Sequence, residues 1–146
     1  MKNKSKILIT SPARLHLGFM DLNGSLGRKF GSVGLAIDSI ETSITVSKNS
    51  MKDSLEINEA NKRAYDYSRL ILKAYEVDEN IKIEVHKKIP EHAGLGSGTQ
   101  LALTVGVAIS KLFNLNLSLM DIGKVLDRGN RSGIGIGAFE YGGFLI

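Results

Sequence analysis

The segment from Leu101 to Leu112 limits the possible folds of this chain more than any other. Leu101, Ala102, Leu103, Val105, Val107, Ala108, Ile109 and Leu112 put apolar side chains nearly all round a helix. The pattern predicts that this helix runs from Gly98 or Thr99 to about Phe113. A helix with no wet face has to be enclosed by other elements, so a central helix packed on a sheet is expected. Directly before it stands Pro90–Thr99, "PEHAGLGSGT", rich in glycine and hydroxyl side chains and without a lysine.

The rest of the chain supplies the sheet and the outer helices. Lys6–Thr10 is a β-prone run. Beyond Ser11-Pro12, residues 13–20 alternate: Ala13, Leu15, Leu17 and Phe19 share one face, Arg14, His16, Gly18 and Met20 the other. Alternation predicts a strand whose polar face carries Arg14 and His16. Asp21-Leu-Asn-Gly signals a turn. Residues 27–38 and 42–48 read as two further strands, residues 54–58 as a short edge strand, and 81–88 as another alternating strand. Residues 60–77 read as an amphipathic helix with Leu70, Ile71, Ala74 and Tyr75 inward and Lys62, Arg63, Asp66, Arg69 and Lys73 outward. Ser118 caps a helix to about Arg128, with Asp121 completing a capping-box variant. "GIGIGAFEYGGFLI" reads as closing glycine-rich β structure. This order points to an α+β fold.

The 146 residues make one domain, 1–146. The absence of cysteine excludes disulfides, thiolate zinc sites and a cysteine nucleophile. No apolar run is long enough for a signal sequence or membrane span, so a cytoplasmic, non-membrane protein is expected. Net charge is +4, but the cations are scattered and aromatics are only 6% of residues, which argues for small anionic substrates rather than nucleic acid. The chain stops inside the apolar run Phe144-Leu145-Ile146, and the expectation is the N-terminal part of something longer.

On physical grounds Gly94–Thr99 has two readings. It is either a glycine-rich helix cap or a phosphate cradle built from backbone N–H groups at the positive end of a helix. It is not a Walker loop, since the lysine is missing and the spacing differs.

Pro90, Gly94, Leu95, Gly96 and Ser97 resemble the second motif of the GHMP kinase superfamily, P-x-x-x-G-L-G-S-S, with Gly98 standing where those kinases usually have serine. Residues 13–38 and 128–146 further resemble the β-ribofuranosylaminobenzene 5′-phosphate synthases of that superfamily. The resemblance implies a GHMP-kinase N-terminal domain, ribosomal protein S5 domain 2-like, followed by a ferredoxin-like domain that completes the site. This piece alone is therefore expected to be poorly active. It also implies a transferase that condenses phosphoribosyl pyrophosphate with 4-aminobenzoate or 4-hydroxybenzoate, releasing CO2 and pyrophosphate, in methanopterin biosynthesis. Magnesium is the implied metal, with its protein ligands unassigned, and a homodimer is left open.

In that light Gly94, Leu95, Gly96, Ser97, Gly98 and Thr99 are expected to bind phosphate. Arg14 and Arg28 are candidates for the acceptor's carboxylate, and Asp21 for stabilising charge at the ribosyl carbon or holding metal. Arg131 is expected to reach a phosphate, and His16 to touch substrate. Each has a plainer role open to it: Asp21 can cap the turn, Arg28 can be solvated and His16 can be structural. The departure at Gly98 moves the expected guest from ATP toward phosphoribosyl pyrophosphate. Two other functions stay open, an ATP-dependent GHMP kinase and a non-catalytic S5-like fragment.

Overall fold

The structure is a computed structural model, and it describes residues 5–25, 27, 29, 31–49, 59–129 and 132–146. The expected edge strand at 54–58 lies outside them. In chain order the elements are β1 (Lys6–Met20), β2 (Gly31–Lys48), α1 (Glu59–Ala74), β3 (Ile81–Lys87), α2 (Ser97–Leu112), α3 (Leu119–Val125), α4 (Ile134–Glu140) and β4 (Phe144–Leu145). The expected α+β class holds.

The sheet is antiparallel in the order β1-β2-β3, with β4 also paired to β2. Runs that read in the sequence as separate strands are continuous here. β1 runs through Ser11-Pro12 and β2 through residues 38–40, because the ladder is interrupted at the Pro12/Ala13 bulge without ending. Proline has no N–H for the ladder, and an edge strand with a bulge is where it is tolerated. The bulge divides the sheet into two halves. In one, residues 6–12 of β1 pair with 41–47 of β2, which also bonds β3. In the other, residues 13–20 pair with 31–37, and β4 joins at Gly34 and Leu35.

The first half carries the core. Ile44 and Val46 of β2 and Ile81 and Ile83 of β3 meet α2, whose Leu101, Leu103, Val105, Ile109 and Leu112 are all buried. Burying one such side chain stabilises the fold by about 1.5–3 kcal/mol before cavity effects. α1 turns Ala64, Tyr65, Tyr67, Ser68 and Ile71 inward, while Leu70, expected in its apolar stripe, is 49% exposed. α3 packs closely on α2 at Gly106, where a Cβ would stand 2.3 Å from Ile122 Cγ2.

In the second half the polar face of β1 is the covered one. Ala13 is buried, but Leu15, Leu17 and Phe19 are exposed. His16 lies opposite Gly34, and a Cβ on Gly34 would stand 2.2 Å from Ile134 Cγ2 of α4. Cross-strand partners share a face, so the face bearing Arg14 and His16 is the one turned to the helices.

The β structure expected at "GIGIG" does not form. The run is the start of α4, not a strand, and only Phe144-Leu145 is β. Its glycines allow contact rather than extension. A Cβ on Gly135 would stand 2.7 Å from Thr99 Cγ2, and one on Gly137 would stand 3.3 Å from Leu145 Cδ1.

Candidate functional site

The glycine loop ends in the N-terminus of α2. Gly94 (φ 73°) and Gly96 (φ 76°) occupy the left-handed region, which side chains other than glycine enter at a cost. Gly96 is the N-cap, and no side chain caps the helix. The first helical bond runs from Gln100 N–H to Gly96 O at 3.0 Å. The N–H groups of Ser97, Gly98 and Thr99 precede it, and helix geometry gives them no intrahelical partner. The first turn holds no acidic residue. The macrodipole's positive end is thus left uncompensated within the helix.

β1 brings Arg14 onto this loop. Its backbone N–H donates to Leu95 O at 3.0 Å, and its Nη1 donates to Gly94 O at 3.2 Å. A Cβ on Gly96 would stand 2.9 Å from Arg14 Nε, so the absence of a side chain there makes room for the guanidinium. Arg14 enters no ion pair among the described residues, its Nε is buried without a partner, and burial lowers its pKa. A partly desolvated, unpaired guanidinium is poised to gain from an anion.

α1 supplies a second guanidinium. A Cβ on Gly98 would stand 2.8 Å from Arg63 Nη2. This gives a structural setting for Gly98, because the guanidinium takes the space a serine side chain would use. Arg63 Nη2 donates to Tyr67 Oη at 3.3 Å, and Nη1 pairs with Glu91 Oε1 at 3.3 Å. Arg128, just after α3, donates to the same Tyr67 oxygen at 2.7 Å. The hydrogen bond to Tyr67 is the main cause raising the Arg63 pKa. Lys88 Nζ holds Glu91 at 2.6 Å, and this bond is the main cause lowering the Glu91 pKa. Sequence reading put Arg63 on the solvated face of α1. The signal it passed over was the i, i+4 spacing of Arg63 and Tyr67, combined with a loop that needs a cation from elsewhere.

His16 has a buried Nε2 without a partner and a ring 4.6 Å from that of Phe19. Asp21 closes the turn after β1: its carbonyl accepts from Gly24 N–H at 3.1 Å and its Oδ1 from Ser25 Oγ at 3.3 Å. Seven residues of strand, roughly 20 Å, separate it from Arg14. Arg28 and Arg131 lie outside the described residues. The structure therefore brings Arg14 to Gly94, Leu95 and Gly96, while Asp21 stands at the far end of β1.

α4 joins the two ends. Gln100 Nε2 donates to Gly135 O at 2.8 Å, and Thr99 packs on Gly135. The other side of α4 lines a cleft of about 460 Å³, with Met20, Ser32, Gly133, Gly137, Tyr141 and Leu145 in its walls. Among the described residues no group of three or more His, Cys, Asp or Glu is placed to hold a metal ion. No helix of the described residues is long and apolar enough to cross a membrane.

Residues 61–143 match the family model described as the GHMP kinases N terminal domain. The chain is similar to β-ribofuranosylphenol 5′-phosphate synthases from three archaea. It is 41% identical to that of Methanocaldococcus jannaschii over 96% of this chain and 46% of the relative. For Archaeoglobus fulgidus the figures are 37%, 94% and 44%, and for Methanothermobacter thermautotrophicus 31%, 97% and 45%. The chain thus spans under half the length of these relatives. Among solved structures it resembles the mevalonate kinase of Methanococcus jannaschii, with a TM-score of 0.68 at 20% identity over 99% of this chain and 54% of that one. A homoserine kinase from Cytophaga hutchinsonii gives a TM-score of 0.66 at 22% identity, over 99% of this chain and 49% of that one. The family match over most of the elements around the glycine loop, together with the fold likeness, places this chain in the GHMP kinase family.

Proposed function

We propose that this chain is the N-terminal half of a phosphoribosyl-transferring synthase that joins phosphoribosyl pyrophosphate to a 4-substituted benzoate in methanopterin biosynthesis. The observation that carries the reading is the anion cradle at α2. Three uncapped N–H groups stand there with Arg14 against Gly96, and no protein carboxylate is bound to Arg14 among the described residues. The names of the similar archaeal proteins supply the reaction class. Their wording, a ribofuranosylphenol, favours 4-hydroxybenzoate over 4-aminobenzoate as acceptor.

In the proposed reaction the ring carbon bearing the carboxylate bonds to ribosyl C1, and the C1–O bond to pyrophosphate breaks with its electron pair on the departing oxygen. The carboxylate then leaves as CO2, returning its bonding pair to the ring. The ring carbon is the nucleophile, so none is needed from the protein. The charge to be stabilised grows on the pyrophosphate, and donors fixed in advance do this best. The N–H groups of Ser97, Gly98 and Thr99 and the Arg14 guanidinium are such donors. The cleft beside α4 is assigned to the aromatic ring. Asp21 follows Met20 of the cleft wall and is assigned to the acceptor side, with Arg28 for the acceptor's carboxylate and Arg131 for a phosphate. Magnesium is proposed to arrive on the substrate's phosphates, which is how this ion commonly binds.

The test is release of labelled CO2 from carboxyl-labelled 4-hydroxybenzoate by the full-length protein with phosphoribosyl pyrophosphate. Release that requires both substrates supports the reading, and its absence with substrates bound refutes it. The second reading is an ATP-dependent kinase, favoured by 30% identity to a homoserine kinase of Saccharolobus islandicus over 99% of this chain and 48% of the relative. Saturable binding of ATP but not of phosphoribosyl pyrophosphate would favour it.

A further inference from the structure

We propose that Arg63, seated against Gly98 and held by Tyr67, is a second diphosphate-binding group of the cradle, and that Gly98 and Arg63 work as a matched pair. The inference rests on the proposed function, because it adds a wall to the same site.

Position is the first argument. Arg63 Nη2 stands 2.8 Å from where a Cβ of Gly98 would be, and Gly98 is the middle of the three residues whose N–H groups open at the start of α2. An anion held by those groups lies within reach of the guanidinium. Arg14 stands in the same relation to Gly96, at 2.9 Å. The two outer glycines of "GSG" thus each carry an arginine from a different element, β1 and α1.

Charge is the second argument. Arg63 and Lys88 are paired to a single carboxylate, Glu91, and Arg128 joins Arg63 on the Tyr67 oxygen. Three cations against one carboxylate leave an excess of two positive charges, and Arg128 enters no ion pair among the described residues. Tyr67 adds no carboxylate to offset this excess. With two guanidinium donors on its oxygen, its O–H is left as a donor, a third group suited to an anion. Arg63 has five N–H donors, of which the contacts to Tyr67 and Glu91 use one on each Nη. A diphosphate supplies the charge and the acceptor oxygens this arrangement lacks.

Gly98→Ser makes a clean probe. The added side chain meets the far end of a flexible arginine, so the fold can accommodate it while the guanidinium is pushed off its seat. The experiment is calorimetric titration of the protein with inorganic pyrophosphate, for wild type, Gly98→Ser, Arg63→Gln, their double variant, Arg14→Gln, and Lys82→Ala as a remote charge control. Gly98→Ser and Arg63→Gln are each expected to weaken binding about tenfold, the scale of one lost charged hydrogen bond. The double variant is expected to be no weaker than Arg63→Gln, and Lys82→Ala to bind as wild type. Thermal midpoints of the single variants should match wild type. The proposal is overturned if Arg14→Gln weakens binding while Gly98→Ser and Arg63→Gln do not; the loop reading then survives alone. It is also overturned if the two losses multiply in the double variant, or if Lys82→Ala weakens binding equally. Absence of pyrophosphate binding by the wild type removes both this inference and the proposed function.

Discussion

Two glycine-rich stretches touch in this molecule and do different work. "GLGSG" (94–98) leads into a long helix, and "GIGIG" (133–137) starts a short one. In the first, Gly94 and Gly96 have positive φ, and guanidinium groups stand over Gly96 and Gly98. In the second, Gly135 and Gly137 are helical and let Thr99 and Leu145 approach. One set of glycines opens backbone donors to a ligand, and the other lets elements pack without a gap. The packing of the second supports the first, because Gly135 rests on Thr99 at the mouth of the cradle.

Substitutions can break this contrast, and the packing side should respond most. Gly34→Ala would drive a Cβ to 2.2 Å from Ile134 Cγ2 and 2.8 Å from the Leu15 carbonyl. Neither can swing away, and a loss of about 3 kcal/mol is expected in denaturant unfolding. Gly135→Ala meets the Thr99 methyl at 2.7 Å and should cost about 2 kcal/mol, with weaker pyrophosphate binding as Thr99 shifts. Gly96→Ala should cost about 1–2 kcal/mol for its left-handed backbone. It should also weaken pyrophosphate binding more than Gly135→Ala does, because it displaces Arg14. A near-neutral Gly96→Ala would show that the loop relaxes without loss. Gly133→Ala, with open space around its Cβ, should change stability by no more than about 0.5 kcal/mol.

A control outside both stretches is Ser118→Ala. It removes the α3 capping box, in which Ser118 Oγ accepts from Asp121 N–H at 3.1 Å and Asp121 Oδ2 accepts from Ser118 N–H at 3.0 Å. The thermal midpoint should fall by about 3 °C with pyrophosphate binding intact. The Ser118 side-chain bond is the main cause lowering the Asp121 pKa. A lowered folded-state pKa contributes stability above the unfolded value and loses it as pH falls through the folded one. The wild type should therefore lose more stability on acidification than Ser118→Ala does.

Much of this was legible in the sequence where local pattern and tertiary role agree. The all-apolar face of α2 could only be a core helix, and Ser118 with Asp121 announced the start of α3. The glycine loop marked the N-terminus of α2. Legibility failed where a residue's role depends on what lies across from it. "GIGIG" alternates like a strand, but its glycines serve contacts with Thr99 and Leu145 that no local pattern encodes. Leu15 and Leu17 alternate like core residues, yet the sheet turns them outward because α4 sits on the other face, and a register shift after His16 breaks the alternation so that Phe19 meets the His16 ring instead. Arg63 looked like a solvated helix residue, and only the approach of α1 to α2 brings it to Gly98.

The backbone amide resonances, followed as phosphoribosyl pyrophosphate is added, report on the cradle itself. Saturable shifts of the Ser97, Gly98 and Thr99 N–H signals, larger than those of residues 134–137 of α4, are expected. Unmoved signals at Ser97–Thr99 under saturating ligand, or a response confined to α4, would contradict the claim that the lysine-free glycine loop is the anion cradle.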